Sequence, residues 1–125
     1  MKFASRVFLI AGIYGILLLA PMYFLEGQVA KDFPPAITHP EYFYGFIGVA
    51  LAWQIAFLIM SRDPARYRLI MLPAIVEKFS YGVAVVTLFF QGRLAPIAVG
   101  FGVADLLLGC LFIAAFLLTR PVANS

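Results

Sequence analysis

Cysteine, histidine and charge are all scarce in this chain, and each scarcity closes off a class of chemistry. A single cysteine, Cys110, allows neither an internal disulfide nor a Cys-x-x-Cys pair, which excludes thiol oxidation of the quinone-coupled kind. A single histidine, His39, cannot ligate a haem iron from both sides. With the scattered carboxylates Glu26, Asp32 and Glu41 it makes a poor metal site, so no metal and no cofactor is expected. There is no Gly-rich phosphate loop, no nucleophile elbow and no H-E-x-x-H zinc motif. Charged residues make up only 12% of the 125 positions and hydrophobic ones 64%, whereas a water-facing domain carries about 25% charge. A soluble fold is excluded. The nine Lys and Arg against six Asp and Glu leave a net +3, but the basic residues gather at the ends of apolar segments, as membrane topology requires, and no nucleic-acid partner is expected.

What the chain has in abundance is apolar length. Four runs, at about residues 7–25, 42–60, 69–90 and 94–118, are each long enough, at about 1.5 Å per residue, to cross a hydrocarbon core of ~30 Å. The expectation is an all-α integral membrane four-helix bundle, up-down-up-down, with residues 1–125 forming a single transmembrane domain in the lipid bilayer. The first run follows Lys2 and Arg6 as a signal peptide would, but it stays apolar through Leu25 without a small-x-small cleavage site, and is read as a retained helix.

Turn chemistry separates the spans. Pro34-Pro35 and Pro40 precede the second, Ser61-Arg62-Asp63-Pro64 ends it, and only Gln91-Gly92-Arg93 joins the third to the fourth, which makes those two antiparallel neighbours. Thr38 and Glu41 stand in capping-box spacing around Pro40 at the start of the second span. Lys2, Arg6, Arg62, Arg66, Arg68 and Arg120 fall on one side and Lys31 and Arg93 on the other, so both termini are expected in the cytoplasm of a bacterial inner (plasma) membrane. On that scheme Tyr42, Phe43 and Tyr44 form an outer aromatic belt, and Arg62 to Arg68 anchor on anionic lipid.

In lipid, helices gain little from burying leucine against leucine, so small residues mark the faces that approach closely. Gly45, Gly48, Ala52 and Ala56 form one such stripe in the second span, and Ala98, Gly102 and Gly109 form another in the fourth. The residues that demand a purpose are Glu77, Lys78 and Asp105, because an ionisable side chain near the bilayer centre costs at least ~2.5 to 3.5 kcal/mol. Counted from the turn at Gly92 and Arg93, Lys78 and Asp105 differ in depth by only ~3 Å and lie roughly 20 Å below the turn. Adjacent helical positions diverge by about 100°, so Lys78 is expected to pair with Asp105 rather than with its neighbour Glu77. Glu77 shares its face with Ser80 and Tyr81, and Gln54 in the second span can add an amide to the cluster or face a partner subunit.

Taken whole, the chain resembles the small four-helix bacterial inner-membrane proteins called DoxX-like, a resemblance that assigns no reaction. Through Pro34-Pro35-Ala36, Gln54 and Pro73-Ala74-Ile75 it also resembles the EXPERA group of sterol isomerases and sigma-2 receptor-like proteins, which implies a four-helix pocket with buried acids. It departs from that group in having no acid between Ala50 and Trp53 and in placing Glu77 where a histidine is expected, so no catalytic residue is carried over.

Three uses for the buried cluster follow. The first is a central intramembrane pocket, lined by Glu77, Lys78, Ser80, Tyr81, Asp105 and Gln54, for a lipid-like or other amphipathic small molecule. The second is an accessory subunit of a larger membrane complex or a homodimer, joined through the small-residue stripe. The third, ranked last for want of a second catalytic group, is an acid–base, isomerase-like membrane enzyme with Glu77 as proton donor.

Overall fold

The computed structural model describes residues 2–119, so Arg120, counted above for the charge asymmetry, lies outside the described residues. The described chain is helical and contains no strand. Helix α1 spans Lys2–Leu19 and continues through a 3-10 turn at Ala20–Phe24, where Pro21 lacks the N–H that a further α-turn would use. A short helix α2, Glu26–Asp32, follows; then come α3 (Pro40–Arg62), α4 (Met71–Phe90, led in by a 3-10 turn at Arg68–Ile70) and α5 (Pro96–Leu118). Four stretches of 23 residues, Lys2–Phe24, Pro40–Arg62, Arg68–Phe90 and Pro96–Leu118, are long and apolar enough to cross a membrane. This is a multi-pass helical membrane protein.

Two sequence expectations need correction here. The segment between the first two spans is not all turn and loop: it contains α2. Its Glu26 sits in the first turn and its Lys31 in the last, the arrangement that the helix dipole favours. The capping box at Thr38 does not form. The residue that caps α3 is His39, no side chain bonds to the helix N-terminus, and Glu41 turns instead to His39 Nδ1 at 3.2 Å.

The helices pack as two intimate pairs, α1 with α3 and α4 with α5, and α1 also meets α5. In the second pair glycines do the work. A Cβ at Gly102 would come within 2.5 Å of Val85 Cγ1, one at Gly109 within 2.7 Å of Phe79 Cε2, and one at Gly82 within 2.6 Å of Leu106 Cγ. Residue numbers rise on one helix as they fall on the other, so the pair is antiparallel, closed by a turn in which Gly92 takes a left-handed φ of 71°.

The first pair corrects the expected stripe. Gly45 has open space where a Cβ would stand, and Ala52 is exposed, so the contact face of α3 is instead Ile47, Ala50, Gln54, Phe57 and Ser61. The small residues belong to α1, where Gly12 admits Leu58 and Gly15 admits the side chain of Gln54. A bulky residue on one helix requires only one glycine opposite, and α3 carries the bulk.

Near the Arg62–Arg68 connection the interior is close-packed and aromatic. Phe8 stacks on Phe112 at 4.4 Å, Phe112 meets Phe57 edge-on at 5.0 Å, and Ala4, Ala11, Met60, Met71, Ala74 and Ala115 close around them. The same end is tied across by Ser5 Oγ donating to Ser61 O at 2.6 Å and by Arg68, which lies 3.7 Å over the Phe116 ring and donates to the Phe116 carbonyl at 3.1 Å.

Candidate functional site: an intramembrane cavity with a charged floor

The inward stripe of α4 is Met71, Ala74, Lys78, Gly82 and Val85, a spacing of three and four that places the lysine among core residues. Lys78 is consequently only 4% exposed. Asp105 lies between Gly102 and Gly109 on the inward face of α5, and the glycine-mediated approach of the two helices brings Lys78 Nζ to 3.5 Å from Asp105 Oδ1. The depth count from the turn holds. The expected exclusion of Glu77 does not, because Lys78 Nζ also stands 3.6 Å from Glu77 Oε2. A lysine has four rotatable bonds, and its ammonium can fold back to a neighbour from which its Cβ diverges.

The ammonium therefore sits between two carboxylates, 5.3 Å from the centre of the Phe57 ring on the third helix of the cluster. That ring offers its face to the cation and roofs the aromatic core. The three charged groups separate the bundle into two compartments, the packed core on one side and a cavity of about 430 Å³ on the other.

Glu77, Lys78, Asp105, Gln54 and Tyr81 all line this cavity, together with Tyr14 and Gly15 of α1. Its remaining walls are apolar: Leu18, Leu19 and Met22 from the first span, Phe46 and Ala50 from α3, Leu94, Ala98 and Phe101 from the start of α5 and the turn before it, and Leu25, Val29 and Phe33 from α2 and its flanks. The short helix thus covers the end remote from the charges. It is held there by Tyr44, whose hydroxyl donates to Glu26 Oε1 at 2.9 Å, and by Phe33 against Phe101 at 6.0 Å.

Five of the six residues expected from the sequence are brought together, and Ser80 is not. It is exposed, and its hydroxyl donates to the Glu77 carbonyl at 3.0 Å, one turn back along its own helix. Sequence reasoning missed Tyr14 and Gly15, although the Gly12-x-x-Gly15 spacing in α1 was the available signal for a close approach.

The polar inventory of the floor is unbalanced. Gln54 is 2% exposed; its Nε2 donates to Ala50 O at 2.8 Å, while its Oε1 has no hydrogen-bond partner. Glu77 Oε2 likewise accepts no hydrogen bond. Glu77 Oε2 nevertheless faces the Lys78 ammonium at 3.6 Å, and Gln54 Oε1 is packed against Gly15, so both oxygens are closed off inside the bundle. Among the described residues no group of three His, Cys, Asp or Glu is placed to hold a metal ion. No protein-family model matches the chain, and neither the curated proteins nor the solved structures yield a match.

Proposed function

We propose that this chain holds a lipid-like or other amphipathic small molecule inside the membrane, in the cavity above Glu77, Lys78 and Asp105. The observation that carries the reading is the cavity itself: about 430 Å³, within the ~300 to 1,000 Å³ range of small-molecule sites, with apolar walls and polar groups confined to one end. An amphipathic molecule matches that division, its head on the charged floor and its chain along the walls towards α2.

The orientation proposed is up-down-up-down in a bacterial inner membrane, with both termini in the cytoplasm. It is supported by Lys2, Arg6, Arg62, Arg66 and Arg68 gathering at the end joined by the Ser5–Ser61 bond, with Lys31 and Arg93 at the other.

A second reading, a subunit of a larger complex, is favoured by one observation. Gly45 and Ala52 face away from the bundle and would let a helix of another chain approach closely. Native mass spectrometry of the protein extracted from its own membrane separates the two. A stoichiometric small molecule, lost in Glu77→Gln, is expected; a defined foreign polypeptide with no small molecule would replace the pocket reading with the subunit reading.

A further inference from the structure

A second hollow lies at the other end of the bundle, where Ser5 is tied to Ser61. It is a groove of about 370 Å³ between α1 and α5, lined by Phe3, Arg6, Val7 and Ile10 of the first helix and Leu108 and Leu111 of the last, and it shares no residue with the cavity above the ion cluster. Phe3, Ile10 and Leu111 are exposed, so in a membrane the groove opens to lipid. From Phe3 to Ile10 the helix rises about 10 Å, and the groove runs inward along that length with its one polar group, Arg6, near the helix start. Lys2 stands one turn before Arg6 on the same face of α1. Among the described residues the ion pairs are His39 with Glu41 and Lys78 with Glu77 and Asp105, which leaves both Lys2 and Arg6 without an acidic partner.

We infer that this groove is a binding site for an anionic phospholipid, one acyl chain lying between α1 and α5 and the phosphate held by Arg6 with Lys2 beside it. The apolar lining takes a hydrocarbon chain and nothing polar along its length. The guanidinium at its head matches phosphate oxygens in a two-pronged fork, and a basic pocket between membrane helices is a recognised seat for an anionic head group. A zwitterionic lipid offers the same phosphate but brings a choline cation as well, to a groove whose lining holds no carboxylate and whose end of the bundle also carries Arg62, Arg66 and Arg68. Charge therefore separates the two lipids while the chain does not. The inference is independent of what occupies the central cavity.

The test is a native mass spectrometry titration of the purified full chain in detergent with dioleoyl phosphatidylglycerol and dioleoyl phosphatidylcholine. The anionic lipid is expected to give a saturating adduct at concentrations roughly fivefold or more below the zwitterionic one, the gain from a basic residue at the membrane surface. Arg6→Gln is expected to erase that preference, and Ile10→Trp, which puts a ring into the groove from an exposed position, to remove the adduct; each is checked for helical content. Arg66→Gln, which takes the same charge from the same end, and Leu18→Trp, which puts a ring into the central cavity, are expected to leave the adduct unchanged. Equal binding of the two lipids, equal losses in Arg6→Gln and Arg66→Gln, or an adduct that survives Ile10→Trp would each overturn the site. An adduct lost only in Leu18→Trp would place the lipid in the central cavity, overturning the groove site while the pocket reading stands.

Discussion

At the end of the bundle that carries the Arg62–Arg68 connection, Phe8, Phe57 and Phe112 fill the space between α1, α3 and α5 at centroid distances of 4.4 to 5.9 Å. At the end that carries the Gln91–Ala95 connection, all five helices line a half-open cavity of about 430 Å³. The difference lies in what the inward stripes present on either side of Lys78. Towards the first end they offer three phenylalanines and two methionines; towards the second only the small Ala50 and Ala98 stand beside the cavity, since Gly15 is filled by Gln54 and Gly82 lies against Leu106. One end is closed by aromatic packing and the other is open to a cavity, with the ion cluster between them. Lipid supplies no hydrophobic drive for helices to associate, so cohesion comes from contact alone, through the rings at the aromatic end and through the approach of α4 to α5 at Gly82 and Gly102 at the other.

Lys78→Met should break the partition most severely, since it leaves Glu77 and Asp105 facing each other without a counter-charge. A loss of roughly 3 to 5 kcal/mol is expected, the scale of a broken buried pair, read by reversible unfolding in mixed micelles. Phe112→Ala, which opens a hole in the aromatic end, should cost about 3 kcal/mol in the same assay. Asp105→Ala should cost less than Lys78→Met, roughly 1 to 3 kcal/mol, because Glu77 remains beside the ammonium. The sharpest contrast comes from one substitution made at both ends. Ala74→Leu, into the filled core, should destabilise by roughly 1 to 3 kcal/mol through overpacking, whereas Ala50→Leu, into the cavity, should change stability by about 0.5 kcal/mol or less. Equal costs for the last two would mean that the hollow end is not hollow.

The charged partition was legible in the sequence because a short connection, five residues from Gln91 to Ala95, fixes the register of two antiparallel helices, and counting residues from Gly92 then places Lys78 opposite Asp105. The cavity was not. Its emptiness depends on which helix carries the small residues at each contact, and Gly45, Gly48, Ala52 and Ala56 formed a better-looking stripe than Gly12 and Gly15, which actually admit Leu58 and Gln54. Helix α2 was hidden for a different reason: seven residues between prolines give no periodicity to read, and its place over the cavity depends on a tyrosine 18 positions away. The aromatic core was invisible because Phe8, Phe57 and Phe112 are three of 13 phenylalanines, many of which face lipid.

The central claim, that the hollow end holds an amphipathic molecule, is tested most directly by photolabelling the protein in lipid vesicles with single-chain amphiphiles of differing head group, each carrying a diazirine along its chain, followed by mapping of the adducts. Adducts on Leu19, Tyr81 and Phe101 that disappear in Leu18→Trp are the predicted result. Adducts confined to outward-facing positions such as Phe24, Val49 and Phe90, and unchanged in Leu18→Trp, would contradict it.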